Sequence, residues 1–329
     1  MKQWMGWMLM LGLAACDPGG PNGKKEILFF EAKRYGPLAE GFSETLTLPR
    51  QTSLGGGGKS VTRRESFSFD FADTTLAVST APGLTVEKTW LDDVGHHITY
   101  RCEPAEKSQR EVRVQVLGPE GKERYADAFD VQCGRPLALK VEVRNSEIGP
   151  QPQGPMRKFM LGADVMVLVT LQGRTDMSDA SELIGGVVSL VDPEGLVRPR
   201  PVQAADPSRQ LLLETARAGR SPRVSLAGLE SVIPLEVVED SSFQLQMKPS
   251  YSPATGQAPG LWTIRAEARH TDGSLVEGLS DCVLEIRPLS GAVITEERGG
   301  CYTHVKGDVG PGTACVRARG KSACGEYTR

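Results

Sequence analysis

The sequence is poor in the residue types and motifs on which most enzymes depend. Only 4 of its 329 residues are histidine, and only 6% are aromatic. It contains no Gly-x-Ser-x-Gly elbow, no His-Glu-x-x-His pair and no Cys-x-x-Cys pair. These absences exclude the common hydrolase, zinc-peptidase and dithiol redox motifs. We therefore predict a non-catalytic protein with no catalytic residue, no metal site and no small-molecule cofactor.

The chain also lacks any long block of one charge. Its 38 Lys and Arg residues nearly balance its 41 Asp and Glu residues, for a net charge of −3. A nucleic-acid-binding surface needs a basic stripe, and an electrostatic membrane attachment needs a polybasic cluster. The composition therefore predicts no nucleic-acid partner and no polybasic membrane patch.

What the sequence does have is glycine, proline and short runs with a period of two. The chain contains 37 Gly and 22 Pro, which separate strand-sized apolar stretches. Residues 66–71 place three Phe on one face, as a half-buried strand requires, and the turn at 118–121 predicts a hairpin. Only residues 179–184 and 209–218 suit short helices. The expected fold class is all-β.

The first sixteen residues have the features of an export signal. Lys2 precedes an apolar run over residues 4–13, which is too short to span a bilayer as a helix. The run ends in Leu13, Ala14, Ala15 and Cys16. These four residues match the lipobox, so the chain resembles the bacterial lipoproteins.

The resemblance implies that residues 1–15 are removed and that Cys16 carries the lipid. A diacylglycerol would be joined to its sulfur as a thioether, with an acyl chain such as palmitate on the new N-terminus. Two or more such chains hold a protein on a membrane stably. Residues 16–25 then form a flexible tether. The expected location is the cell envelope, on the periplasmic or cell-surface side, and the choice of membrane stays open.

The other six cysteines are expected to form disulfides because an exported chain folds in an oxidising compartment. They are Cys102, Cys133, Cys282, Cys301, Cys315 and Cys324. The favoured pair is Cys102 with Cys133, and the pairing of the other four stays open. A zinc site of Cys301, His304, Cys315 and Cys324 is the less favoured alternative, since paired Cys-x-x-Cys spacing is missing.

Length and punctuation favour two domains, over residues 26–135 and 136–288, followed by a Cys-rich tail over 289–329 that disulfides attach to the second domain. Strand number and spacing resemble the tandem immunoglobulin-like or fibronectin-like β-sandwich modules of bacterial surface proteins. Residues 260–268 resemble their penultimate core strand. Because Trp90 precedes Cys102, the usual inter-sheet bridge of the family is not predicted. Trp90 and Trp262 are expected to fill the two cores.

Several motifs have simpler explanations than a functional site. The glycine-rich residues 53–60 resemble a phosphate-binding loop but are followed by a strand pattern, so a hairpin loop is favoured. His96 and His97 are expected just before a strand. Three acidic pairs are expected as solvated loop carboxylates rather than calcium ligands: Asp70 with Asp73, Asp92 with Asp93, and Asp176 with Asp179.

The sequence therefore favours a lipid-anchored envelope protein that binds an envelope partner or acts as a scaffold. Two alternatives stay open. One is a surface adhesin that recognises glycans or a neighbouring cell. The other is an envelope hydrolase or inhibitor whose site lies in second-domain loops, at residues 176–182 or 251–260.

Overall fold

The computed structural model describes residues 31–32, 36–49, 51–54, 65–68, 71–144, 156–200, 209–253, 260–288, 295–297, 301–306 and 311–327. Strands make up most of these residues, and the helical turns among them are two short 3₁₀ turns, Pro119–Gly121 and Asp240–Ser242. The all-β prediction is therefore confirmed. Within the described part of the chain, no helix has the length and apolar character needed to cross a membrane.

The first thirteen strands in chain order are β1 Glu31–Ala32, β2 Leu38–Ala39, β3 Ser43–Pro49, β4 Gln51–Leu54, β5 Glu65–Ser68, β6 Thr75–Thr80, β7 Leu84–Leu91, β8 Gly95–Cys102, β9 Gln109–Leu117, β10 Glu123–Arg144, β11 Arg157–Met160, β12 Asp164–Thr175 and β13 Ser178–Leu183.

The remaining strands are β14 Ser189–Val191, β15 Val197–Pro199, β16 Gln210–Thr215, β17 Gly219–Arg220, β18 Arg223–Leu226, β19 Leu229–Val232, β20 Leu235–Val238, β21 Phe243–Ser252, β22 Leu261–His270, β23 Leu275–Glu277, β24 Val283–Pro288, β25 Thr295–Glu297, β26 Tyr302–Lys306, β27 Gly312–Ala318 and β28 Lys321–Tyr327.

The chain divides into two compact units. The first comprises the described residues up to Ala138 together with Leu171–Gly185, and the second comprises Leu139–Thr170 with the described residues from Gly186 onward. Strands β10 and β12 each contribute residues to both units. Residues 171–185 follow 139–170 in sequence but belong with the first unit, which the sequence alone did not indicate.

The first unit is a sandwich of two sheets. One has the strand order β1-β3-β8-β7, and in the other β9 lies between β6 and β10. Strand β9 has the period of two typical of a half-buried strand, since Val112, Val114 and Val116 are buried and the residues between them are not. The buried residues of the two sheets form one core: Leu46, Leu48, Leu84, Ile98, Tyr100, Val112, Val114, Val116 and Val131, with Leu38 and Phe71.

Hairpins join several strands of the first unit. Strands β9 and β10 pair on either side of the Pro119–Gly121 turn, where Gly121 has a φ of 74°, a conformation that suits glycine. Strands β4 and β5 pair antiparallel from Gln51 with Ser68 to Leu54 with Glu65. Such pairing fits a glycine-rich hairpin loop, although residues 55–64 lie outside the described residues.

The second unit packs a large sheet against a small one. The large sheet has the order β17-β20-β11-β23-β22-β26-β25 with β21 on β22, and the small sheet has the order β24-β27-β28. Its core includes Phe243, Trp262, Ile264, Val276, Val305, Ala314, Val316, Ala318 and Tyr327. Two packed sheets over a shared core define a β-sandwich. The tail predicted at 289–329 thus supplies strands and five of these core residues.

Both candidate helices are strands. Residues 179–184 fall largely in β13, which pairs with β12 from Leu171 with Leu183 to Thr175 with Ser178. Residues 209–218 contain β16, which pairs with β12 on one side and β15 on the other. The helix predictions are wrong because neighbouring strands supply backbone partners, and tertiary pairing overrides local propensity.

Candidate functional site

The predicted lipidation residue, Cys16, lies outside the described residues, so lipidation stays a prediction. The six other cysteines form three disulfides: Cys102 with Cys133, Cys282 with Cys301, and Cys315 with Cys324. The first is the pair that the sequence favoured. Because Cys301, Cys315 and Cys324 are in disulfides, they have no thiolate to offer the alternative zinc site.

The Cys102–Cys133 disulfide joins the two sheets of the first unit. Cys102 ends β8 in one sheet and Cys133 lies in β10 in the other, and both are fully buried in the core. This is the inter-sheet bridge of an immunoglobulin-like sandwich. The pair itself was predicted, but its place as an inter-sheet bridge was not, because Trp90 precedes Cys102 in sequence and has a different role here.

Trp90 lies outside the core, contrary to the prediction. Strand β7 pairs with β8 through a register shift between Val86 and Lys88. An extra residue reverses which side chains face inward, so Lys88 and Trp90 follow Thr99 and His97 onto the outer face. Without that bulge, the period of two would place Trp90 on the same face of the strand as Val86, which packs against the core.

On this outer face, Trp90 forms a cluster with Thr47, Lys88, Asp92 and His97, which we call the Trp90 cluster. The indole stacks on the His97 imidazole with ring centres 4.6 Å apart and an interplanar angle of 12°. The Lys88 ammonium lies 5.0 Å from the centre of the indole, a cation–π distance. Trp90 is half-buried and Lys88 is exposed.

Polar bonds fix the imidazole from both sides. His97 Nδ1 lies 3.0 Å from Thr47 Oγ1, and His97 Nε2 lies 2.9 Å from Asp92 Oδ1. A hydroxyl and a carboxylate therefore lie against the two ring nitrogens, and together they position the imidazole under the indole.

Asp92 is itself held in the turn that precedes β8. Its Oδ1 accepts hydrogen bonds from the backbone N–H groups of Val94 and Gly95, at 2.8 and 3.2 Å. The hydrogen bond from His97, followed by these backbone bonds, lowers the pKa of Asp92 to about 2. Gly95 is required here, because a Cβ at this position would lie 2.0 Å from the Leu48 carbonyl oxygen.

His96 faces the opposite way, into the core. His96 and His97 were expected just before the strand, but both lie within β8 and both are buried. Thr74 Oγ1 donates to the Phe71 carbonyl at 2.8 Å, so it accepts from His96 Nε2, also at 2.8 Å. His96 therefore has a structural role, with its ring edge-on to Phe71.

Of the two segments proposed for a hydrolase site in second-domain loops, one does not belong to the second unit. Residues 176–182 belong to the first unit and form the hairpin of β12 and β13. Asp176 Oδ2 accepts from the Ser108 backbone N–H at 2.6 Å, and the Asp176 N–H donates to Ser108 Oγ at 2.8 Å. These bonds fix a loop. In the other segment, Tyr251 packs on Trp262, and residues 254–259 lie outside the described residues.

Three carboxylates of the acidic pairs, those of Asp92, Asp176 and Asp179, make local contacts. Asp92 bonds to its turn and to His97, and Asp179 pairs with Arg174 at 3.0 Å. Asp70 lies outside the described residues. Among the described residues, no three His, Cys, Asp or Glu side chains are arranged to hold a metal ion.

A charged network around the buried Lys158 lies in the second unit and was not predicted from the sequence. The Lys158 ammonium contacts Asp272, lies 3.0 Å from His270 Nδ1 and 3.9 Å from Glu236 Oε2. Hydrogen bonds from Lys158 and then from Ser274 hold the pKa of Asp272 well below its usual range. The only sequence signal is a lysine beside the apolar residues of β11. The network connects strands to the turn after β22.

No protein-family model matches the chain, and no curated protein matches it. Solved structures match at low similarity. Domains 1–6 of the surface layer protein SbsC are 12% identical with a TM-score of 0.29, over 79% of this chain and 33% of that one. The Escherichia coli adhesin FdeC is 15% identical with a TM-score of 0.25, over 89% and 92%.

A third match is invasin, a bacterial integrin-binding protein, which is 12% identical with a TM-score of 0.22, over 88% of this chain and 56% of that one. The chain thus spans about a third of the surface-layer structure and about half of the invasin structure. At these scores the likenesses carry no argument about function.

Proposed function

We propose that this chain is a lipid-anchored protein of the cell envelope that acts as a non-catalytic binding module or scaffold. The observation that carries the proposal is the export signal ending at Cys16, followed by a chain whose six other cysteines all form disulfides. Disulfides persist in oxidising compartments and are rare in the cytosol. The signal and the bridges therefore support the same location by independent routes.

The contacts around the functional candidates support binding over catalysis. In the Trp90 cluster, the imidazole that lies between a hydroxyl and a carboxylate is beneath an indole, and the His97 side chain is only 10% exposed. A general base must reach its substrate's proton within hydrogen-bond distance. His97 is covered, so its bonds serve to hold a rigid surface in place.

Mass spectrometry of the detergent-extracted full chain tests the anchor. We expect the N-terminal peptide to begin at Cys16 and to carry a diacylglycerol and an acyl chain. In Cys16→Ser, residues 1–15 should stay attached and the N-terminal peptide should carry no lipid. Cys102→Ser is the matched cysteine control and should keep the lipid. An unmodified Cys16 thiol in the wild-type product would overturn the proposal.

The Trp90 cluster favours glycan recognition as the second candidate function. A half-buried indole beside a carboxylate, an imidazole and an exposed lysine combines an apolar ring face with polar groups. Sugars are bound through such a combination of aromatic contact and hydrogen bonds. The Lys88 side chain is exposed and flexible, so a ligand can replace it over the indole.

A glycan array first identifies sugars that bind the protein. Titrating these sugars into the protein while recording its tryptophan fluorescence then tests this candidate. Once residues 1–15 are removed, the tryptophans of the chain are Trp90 and Trp262. We expect a ligand-dependent change that Trp90→Phe abolishes while Asp93→Asn, a neighbouring exposed carboxylate, preserves it. An array with no binding member, or a change that persists in Trp90→Phe, would contradict glycan recognition at this surface.

A further inference from the structure

The three disulfides differ in their accessibility to solvent. Cys102 and Cys133 are fully buried, and Cys282 and Cys301 are half-buried against the core of the second unit. Cys324 is exposed and Cys315 is half-buried. An exposed disulfide is open to attack by a thiolate, and a buried one is protected until the chain unfolds.

The Cys315–Cys324 disulfide lies on the outer face of the small sheet of the second unit. Along β27, Ala314, Val316 and Ala318 are buried in the core, so Cys315 points away from it. Cys324 lies directly opposite Cys315 in the register, and its strand β28 is last in the order β24-β27-β28. The bridge therefore lies on the outer surface of the small sheet and joins its last two strands, β27 and β28.

This bridge connects strands that are already paired. Seven residue pairs hold β27 to β28, from Gly312 with Tyr327 to Ala318 with Lys321. The two cysteines are only 9 residues apart. Opening the disulfide leaves the backbone ladder and the core contacts of both strands in place, so the folded protein can exist with the bridge open.

Charged side chains surround Cys315 on the same face. Glu285 is its partner in the neighbouring strand β24, and Arg317 is two residues along β27. The guanidiniums of Arg287 and Arg317 lie 3.3 and 3.5 Å from the Glu285 carboxylate. Glu326, two residues from Cys324 on β28, also faces outward, so two arginines and two glutamates lie on this face. Arg317, two residues from Cys315 on the same strand, is the cation placed to stabilise a Cys315 thiolate over the thiol.

We propose that the Cys315–Cys324 disulfide is a thiol-exchange site that takes a low-molecular-weight thiol as its partner. The thiol loses its proton to water, and its thiolate attacks Sγ of the exposed Cys324. A new sulfur–sulfur bond forms there as the Cys315–Cys324 bond breaks, and the electron pair stays on Cys315 as a thiolate beside Arg317. The reverse attack by Cys315 expels the small thiol and restores the bridge, so no external oxidant is consumed.

Limited exchange of the purified, oxidised full chain with glutathione tests the proposal, independently of lipid anchoring. Aliquots are quenched in acid, alkylated with N-ethylmaleimide and digested with trypsin, which cleaves after Lys306, Arg317, Arg319 and Lys321 and so separates Cys315 from Cys324. We expect glutathione on Cys324 and the alkyl group on Cys315, formed roughly tenfold or more faster than any modification of Cys102 or Cys133.

Charge variants test the chemical environment. Arg317→Gln should slow exchange severalfold and Glu285→Gln should speed it, while Arg198→Gln in β15, a distant exposed arginine, should leave the rate unchanged. Circular dichroism checks that each variant stays folded. Opening of all three bridges at one rate, glutathione on Cys315 in preference to Cys324, or equal rates in the three variants would each overturn the proposal.

Discussion

The two units of this protein stabilise their sandwiches by different means. In the first unit a fully buried disulfide, Cys102 with Cys133, crosses the core, and its tryptophan lies outside on a sheet face. In the second unit Trp262 and Tyr327 lie within the core with ring centres 5.5 Å apart, and the disulfides lie at its margin or surface. A disulfide thus lies within the core of the first unit, and large aromatic side chains lie within the core of the second. The comparison indicates that a residue type has no fixed role in this chain, because its role depends on the face it occupies.

The largest expected effect tests the aromatic core of the second unit. Trp262→Ala removes a side chain that is 4% exposed, and replacing a buried Trp or Phe by Ala costs about 3–5 kcal/mol in the free energy of unfolding. Urea denaturation measures this change. Trp90→Ala is the matched control and should cost about 1 kcal/mol or less. Equal losses in the two variants would remove the contrast between the units.

The next effect tests the covalent core of the first unit. Cys102→Ala combined with Cys133→Ala removes a bridge between residues 31 apart in sequence. The loop-entropy relation gives a loss of about 3.7 kcal/mol. Calorimetry under oxidising conditions should show a lower Tm for the first unit. An unchanged melting curve would mean that the bridge does not stabilise the sandwich.

A smaller effect is expected for the surface bridge. Cys315→Ala combined with Cys324→Ala removes a bridge between residues 9 apart, for which the same relation gives at most about 2.6 kcal/mol. We expect less, because the hairpin of β27 and β28 already brings these residues together. Calorimetry of this variant beside the Cys102–Cys133 variant measures the ratio. A larger loss here would reverse the comparison.

The smallest effect concerns pH in the first unit. A carboxyl whose pKa is lowered on folding stabilises the folded state above its unfolded pKa, and that contribution is lost as the pH falls through the folded value. For Asp92 the window runs from about 4, the usual pKa of aspartate, down to about 2. His97→Gln should raise the pKa of Asp92 toward its usual range and weaken the pH dependence of stability in that window.

Carboxyl-carbon NMR titration of Asp92 measures this pKa directly. Lys88→Gln, which removes a charge near Trp90 but leaves the bond between His97 and Asp92 intact, is the control. If His97→Gln leaves the Asp92 titration where it is in the wild type, the imidazole does not set that pKa.

Much of the fold could be predicted from local pattern. The alternation in β9 and β22 identifies their buried faces, and the turn at 118–121 predicts a hairpin. The pairing of Cys102 with Cys133 was favoured because both lie in one segment, apart from the other four cysteines. Each of these inferences uses neighbours in sequence, and in an antiparallel all-β fold such neighbours often pair in space.

The rest depended on contacts between distant residues. One extra residue in β7 places Trp90 outside, although the period of two from Leu84 and Val86 would place it on their core-facing side. Residues 179–184 are strand because β12 provides hydrogen-bond partners. The tail has few apolar runs, yet Ala314, Val316, Ala318 and Tyr327 are buried because the large sheet of the second unit covers them.

The sequence by itself determined the strand-rich class, and it predicts an export signal and disulfides among the six cysteines that follow it. Period, composition and a short N-terminal motif carry this information, and none of them needs a distant partner. Only the tertiary structure decided which side of each strand meets the core, that one disulfide crosses a sandwich while another lies on its surface, and that Trp90 stacks on His97. These features depend on register between strands, and register follows from the packing of residues far apart in the chain.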